Sequence, residues 1–451
     1  MDMKSPRHFF RVRVAAFAAM TCLSLIVAAQ PASAQGINSE DRSRGHLMLD
    51  AMKDDIKRYY YDPNFHGIDV EARFKQAHEL IKQAKTLGDV FGIIAQTMMS
   101  FDDSHTFFIP PAQTLEADYG WQWRAIGDKC FVVAVKPKSE AEKVGLKVGD
   151  QVLTIDGVPA KREDLWKLKY LYNSLRPAPG MRLFIASPGE TKARMLDVPA
   201  KVTSSKRTLN FTGLGDGNDI HKYIWERERA GRIYRNRTVT MGTDLIIWKM
   251  PQFAITEKEV DSMMGKVKGH QALILDLRGN GGGYESTLLH MIGYFFDHDI
   301  KVADVRGRKE AKARIAKSRG NDIFKGKVAV LIDNESASAS EMFARVIQLE
   351  KRGTILGDRS SGMVMRAKGY EHDIGMDIKV FYGSEITESD VIMADGKSLE
   401  KVGVTPDEVV LPTGADLAAN RDPVLARAAE LLGVKLEAEK AGSFFPIEWV
   451  K

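Results

Sequence analysis

Apolar residues are spaced along this chain in three different ways. Over residues 39–97 they return at helical intervals: Leu47, Leu49, Met52, Ile56 and Tyr59 or Tyr60 first, then residues 70–84 after a break at Asp62-Pro63, then Val90, Ile93, Ile94, Thr97 and Met98. Three helices are expected there. Over residues 119–202 the runs shorten. Residues 131–135 and 151–155 read as strands, 139–144 and 163–175 as helices, and Gly145-Leu146-Lys147-Val148-Gly149-Asp150 and Asp156-Gly157 as turns. From Leu245 onward the apolar runs become continuous, at 245–248, 272–277, 328–332 and 354–357, as in strands covered on both faces. Helices are expected at 257–267 and from Met342 to near Gly353. Such strand–helix–strand order almost requires a parallel sheet.

These textures divide the chain into a helical N-terminal segment (35–115), a domain of short strands (116–203), a polar connector (204–240), an α/β core (241–415) and a C-terminal helix and tail (416–451). Residues 1–34 stand apart. Lys4, Arg7, Arg11 and Arg13 precede an apolar stretch from Val14, and Ala32-Ser33-Ala34 offers a small-residue cleavage site, the pattern of a secretory signal peptide. The formal charge of +5 is largely this leader's, leaving about +2 for the mature chain. That balance gives no electrostatic case for nucleic acid. Cys22 leaves with the leader, so Cys130 has no intrachain partner, and no later stretch is apolar enough to span a membrane. Export without disulfides fits a bacterial periplasm or exterior.

Candidate chemistry gathers at two turns. The strand at 328–332 runs into Asn334-Glu335-Ser336-Ala337-Ser338-Ala339-Ser340, which opens a helix. The strand at 272–277 runs into Arg278-Gly279-Asn280-Gly281-Gly282-Gly283. Parallel topology puts both turns at one sheet edge, where open α/β sheets hold their chemistry. A serine there can cap the helix or serve as a nucleophile if a base is near. The glycines let backbone N–H groups converge on an anion. Neither a dinucleotide fingerprint nor a P-loop is present, so an oxyanion site for acyl transfer fits better. A third cluster, Asp102-Asp103-Ser104-His105-Thr106, lies between aromatics after the third helix; it reads equally as a surface loop with a capping Asp or as a functional histidine.

Gly-Leu-x-x-Gly-Asp before an apolar strand and Asp-Gly after it resembles a bacterial-type PDZ domain, in which Gly120 and Trp121 would belong to the carboxylate-binding loop. Together with this domain, Asp276-Leu277-Arg278-x-Asn280-Gly281-Gly282-Gly283, Ser336-Ala337-Ser338-Ala339-Ser340-Glu341 and Gly403-Val404-Thr405-Pro406-Asp407 resemble the C-terminal processing (tail-specific) serine proteases. The resemblance implies a mixed, multidomain α/β protein with an open, mostly parallel core of the ClpP/crotonase-like type. It also implies peptide-bond hydrolysis of peptide or protein substrates without cofactor or metal, with Ser338 as nucleophile and Ala339 with Gly281 or Gly282 as oxyanion donors.

One position departs from the family. Its lysine base should stand 25 residues past the nucleophile, where this chain has Met363 between Gly362 and Val364. Lys368 is the nearest candidate replacement, and a non-catalytic peptide-binding protein is the competing class. A second branch, including the tricorn core protease and a chlamydial secreted protease, uses Ser, His and Glu. Its histidine follows a serine or glycine after the N-terminal helices, and its glutamate stands three residues before Gly-Val-x-Pro-Asp. His105 and Glu400 fill both positions, so the resemblance implies a Ser338–His105–Glu400 triad. Imidazole titrates near 6.5 unaided, whereas a lysine must be lowered by roughly three units to act as a base.

Overall fold

The computed structural model describes residues 37–111, 115–190, 192–204, 234–308, 312–375 and 379–449. The expected leader and most of the expected connector lie outside them. Three N-terminal helices form as the spacing predicts: α1 (Ser39–Tyr59), α2 (Val70–Gln83) and α3 (Leu87–Met99), capped by Asn38, Asp69 and a Thr86/Asp89 capping box. Leu49, Met52, Ile56, Phe74, Ile81, Val90 and Ile94 share one buried cluster. Leu47, expected on that face, is instead 52% exposed, because the buried stripe of α1 runs through Met48, Leu49, Met52 and Ile56.

The chain then leaves the helices through the His105 loop into a short strand, β1 (Phe107–Ile109). The small-strand domain follows: β2 (Leu115–Asp118), β3 (Trp121–Ile126), β4 (Lys129–Val135), α4 (Glu140–Lys143), β5 (Gln151–Ile155), β6 (Val158–Pro159), α5 (Leu165–Tyr170), β7 (Gly180–Ala186), β8 (Arg194–Pro199) and β9 (Lys201–Ser204). Strands β3, β4, β5, β7 and β8 form its antiparallel sheet, with Trp121, Trp123, Val132, Cys130 and Leu183 buried inside.

The α/β core begins earlier than its apolar runs suggest. An edge strand, β10 (Arg237–Met241), pairs antiparallel with β11 (Leu245–Lys249), although its alternating, half-exposed residues read as connector. After α6 (Glu257–Val267) come β12 (Ala272–Asp276), α7 (Glu285–Ile292), the hairpin β13 (Ile300–Gly307) and β14 (Lys312–Ala316), β15 (Lys327–Ile332), α8 (Ala339–Leu349) and β16 (Thr354–Gly357). The long hairpin β17 (Met365–Ile374) and β18 (Val380–Met393) precedes β19 (Glu408–Val409) and three short helices, α9 (Gly414–Ala418), α10 (Pro423–Leu431) and α11 (Ala438–Gly442). Strands β11, β12, β15, β16 and β19 are parallel neighbours in that order. Helices α6, α7 and α8 bury Met264, Leu288 and Phe343 on one face, and α10 buries Leu425 and Ala428 on the other. Both faces are thereby covered, which is why β12 is apolar throughout until Asp276.

Strand β18 gathers the rest. It pairs with β17, with β13 and with β1, and Tyr382 and Ile386 join the helical cluster. Pairing of β1 with β18 brings the residues just before it, His105 among them, toward the α/β core.

Candidate active site

Ser338 ends the turn after β15 and immediately precedes α8, with φ +55° and ψ −117°. A non-glycine residue rarely adopts such a backbone, and strain of this kind persists only where the surroundings impose it. They do so here. The Ser338 N–H donates to the Met363 carbonyl at 2.9 Å and to Glu341 Oε2 at 3.0 Å. The neighbouring serines are committed elsewhere: Ser336 Oγ donates to the Leu277 carbonyl at 2.8 Å, and Ser340 Oγ to the Asn280 carbonyl at 2.8 Å. Both are buried and both tie the serine turn to the glycine-rich loop.

That loop is held from inside. Arg278 bridges Asp276 and Asp422, each at 2.7–3.0 Å. Asn280 Nδ2 donates to the Met250 carbonyl at 2.9 Å, and its Oδ1 accepts the Gly282 N–H at 2.9 Å. Gly282, at φ +99°, lies against the serine turn: a Cβ there would stand 2.8 Å from Ser338 Cβ and 3.1 Å from the Ala339 nitrogen. Of the two expected loop donors, Gly282 therefore has its N–H already used. Gly281 makes no backbone hydrogen bond among the described residues. Ala339 is the first residue of α8, where helix geometry leaves the N–H unpaired.

Glu341 is a contributor that sequence reasoning passed over, although Ser338-x-x-Glu341 has capping-box spacing. It is buried and accepts four hydrogen bonds, from Ser338 N, Ser360 Oγ, Gly362 N and Met363 N, at 2.6–3.0 Å. Burial pushes its carboxyl up to about 7, against these four donors. The carboxyl group thus staples the serine turn to the segment where the lysine of the resembled family would stand. Met363 serves there through its backbone.

His105 and Glu400 come together, but through an intermediary. Glu400 Oε2 accepts the Ser104 hydroxyl at 2.8 Å and the Val364 N–H at 2.9 Å, and Oε1 accepts the Ser104 N–H at 2.8 Å. The Ser104 Oγ in turn lies 2.7 Å from His105 Nδ1. The expected direct Glu400–imidazole contact is replaced by a Glu400–Ser104–His105 chain. Asp103 fixes the loop by accepting from the His105 N–H at 3.0 Å and from the Thr387 hydroxyl of β18 at 2.6 Å. Burial lowers the His105 pKa, opposed by the Asp103 carboxylate, and burial raises that of Glu400. Glu400 and Ser338 flank the same dipeptide, one bonded to Val364 and the other to Met363. Among the described residues Ser338 and His105 share no hydrogen bond; catalytic bonds of this kind often close only when substrate binds. Lys368 is exposed on β17, opposite Ile386, with its ammonium 5.4 Å from the Tyr370 ring centroid.

The small-strand domain reaches this edge directly. Arg124 of β3 pairs with Glu335 at 2.9 Å and Asp333 at 3.2 Å, and Lys169 of α5 also bonds Glu335. Burial would raise the Glu335 carboxyl, but Arg124 and Lys169 hold it well below the usual range. In the expected carboxylate loop, the Gly120 N–H is taken by Asp118 Oδ1 at 3.0 Å, and Trp121 is buried in the domain core.

Gly282→Ala tests the close approach of loop and turn. It is expected to lower kcat for peptide hydrolysis by about 10²-fold, since a small displacement of a reacting group is enough for that. Steady-state kinetics with KM little changed would bear this out; wild-type kcat would show that the approach is not needed.

The description "peptidase family S41" matches residues 245–410, the span holding both turns and Glu400. The chloroplastic C-terminal processing peptidase of Tetradesmus obliquus is 24% identical over 84% of this chain and 80% of its own. The carboxy-terminal processing protease CtpA of Bacillus subtilis is 24% identical over 76% and 70%. Among solved structures, mature CPAF shares the fold at TM-score 0.61 and 14% identity, covering 84% of this chain and 95% of that one. With a serine on a strained strand-to-helix turn beside a glycine-rich loop, and these relatives along most of its length, the chain is a serine-type peptidase related to the C-terminal processing proteases, and its residues 245–410 match peptidase family S41.

Proposed function

We propose that this protein is an exported endopeptidase in which Ser338 attacks the scissile carbonyl and His105 is the general base. The observation that carries the reading is the Glu400–Ser104–His105 chain, which leaves His105 Nε2 without a hydrogen bond among the described residues while Nδ1 is held. Oriented in this way, the imidazole takes the Ser338 proton as the C–O bond forms and returns it to the leaving amine. Glu400, acting through Ser104, stabilises the imidazolium in between. The N–H groups of Ala339 and Gly281 face the developing oxyanion, each such donor typically contributing about 3 kcal/mol. The leader motivates export, and the PDZ-like domain is assigned to substrate recruitment, in keeping with the C-terminal processing named for the relatives. The alternative base, Lys368, is exposed on β17 and has no comparable support.

A serine-reactive phosphonate should label the mature protein once, on the peptide that carries Ser338, as read by mass spectrometry. A label mapped to another serine, or none under conditions where the protein hydrolyses peptides, would overturn the assignment.

A further inference from the structure

A cavity of about 510 Å³ opens between the end of α1, the β13–β14 hairpin and the start of β17. Its lining holds five cationic side chains, Arg58, Arg308, Lys312, Arg314 and Arg366, and one carboxylate, Glu388. The cations are only partly neutralised. Arg314 lies 2.7 Å from Glu285, and Arg366 lies 3.9 Å from Glu285 and 3.7 Å from Glu388. Arg308 is spent on the carbonyls of Tyr60 and Lys57, which fix its position without cancelling its charge. Arg58 and Lys312 are exposed and form no ion pair among the described residues. Among the described residues five cations thus line the cavity against Glu388 and the paired Glu285, and a concave surface of one sign concentrates ligands of the other.

Short stretches of chain join the cavity to the residues around Ser338. Glu285 opens α7 three residues after Gly282, which touches Ser338. Arg366 follows three residues after Met363, whose carbonyl holds the Ser338 N–H. Three residues of extended chain span about 10 Å. A polypeptide extended from Ser338 alongside the chain from Met363 to Arg366 would carry a side chain about three residues from the scissile bond to Arg366 at the cavity.

We propose that this cavity is a specificity subsite that takes an acidic side chain, Asp or Glu, of the polypeptide substrate. The inference rests on Ser338 being the point of cleavage. Arg314 and Arg366, already held by Glu285, form the floor, and Arg58 and Lys312 supply the uncommitted charge that closes on the incoming carboxylate.

The test uses the full-length mature protein and pairs of C-terminally amidated peptides that differ only by Glu or Gln at successive positions around one cleavage site. At one position, about three residues from the scissile bond, the Glu peptide should show a kcat/KM about tenfold higher at low ionic strength. The preference should shrink as salt rises. Arg58→Gln combined with Lys312→Gln should bring the ratio close to one with an unshifted Tm, and Lys312→Glu should turn the preference toward a Lys peptide. Binding of the fluorescently labelled peptides to the Ser338→Ala protein separates this subsite from the catalytic reading. A retained Glu preference in binding, with no hydrolysis by the wild type, would overturn the peptidase assignment of Ser338 and keep the anion site. Equal binding of Glu and Gln peptides, or a ratio unchanged in the double variant, would overturn the subsite. A preference for free-acid over amidated peptides without any Glu preference would assign the cavity to a chain terminus and overturn it as well.

Discussion

Ser338→Ala is expected to reduce kcat/KM for peptide hydrolysis by about 10⁵-fold or more, the scale on which loss of a serine nucleophile acts. The size follows from what each serine of the turn does. Ser336 and Ser340 have their hydroxyls bonded to the Leu277 and Asn280 carbonyls inside the protein. Each carbonyl also accepts a backbone N–H, from Asn280 and Ala337 respectively, so replacing either serine removes one of two bonds at a buried carbonyl, which costs about 1 kcal/mol, and their alanine variants should lower Tm. The Ser338 backbone is instead held by Met363 and Glu341 through its N–H, which alanine keeps. Ser338→Ala should therefore fold with an unshifted Tm while losing both hydrolysis and phosphonate labelling. Hydrolysis that survives the substitution, measured on a fluorogenic peptide, would place the nucleophile elsewhere.

His105→Ala is expected to lower kcat/KM by about 10³-fold or more, and Lys368→Met to keep at least a tenth of wild-type activity. Glu400→Gln should fall between them, because Ser104 can still contact His105 when the carboxylate charge is gone. The pH profile carries the same distinction. With His105 as the proposed base the working form is the neutral imidazole, so kcat/KM should rise with pH as the imidazolium loses its proton. Burial lowers the His105 pKa, which keeps the neutral form present to lower pH. The acidic limb should thus lie below the ordinary histidine value of about 6.5. A limb well above it, together with an active His105→Ala and an inactive Lys368→Met, would overturn the histidine assignment and return the chemistry to a Ser–Lys pair.

Glu335 offers a structural reason for the small-strand domain to sit where it does. Two cations on separate elements of that domain, Arg124 on β3 and Lys169 on α5, hold one carboxylate three residues before Ser338. Gly127 N and Arg162 grip Asp358, just past β16, at 2.9 and 2.8 Å. The domain is therefore docked on the same sheet edge that carries the serine turn.

Local pattern was enough for much of this protein. The continuous apolar runs of β11, β12, β15 and β16 specified buried parallel strands, and parallel order alone put the serine turn and the glycine-rich loop at one edge. Helical spacing located α1, α2 and α3, and the resemblance to the C-terminal processing proteases, not the local pattern, singled out Ser338, His105 and Glu400. What the sequence could not determine depends on contacts between residues far apart in the chain. Ser104 enters the site only because β1 pairs with β18 and the segment from Ser398 to Gly403 returns beside the loop, 296 residues away along the chain from Ser104 to Glu400. That the Asn280 side chain occupies the Gly282 N–H and leaves that of Gly281 unbonded was likewise not legible in the glycine run. The role of Glu341 required Ser360, Gly362 and Met363 to fold back onto its carboxylate. Periodicity records which face of an element is buried; which polar group meets which is decided by the packing of whole elements, and that information is not carried by any one stretch of the chain.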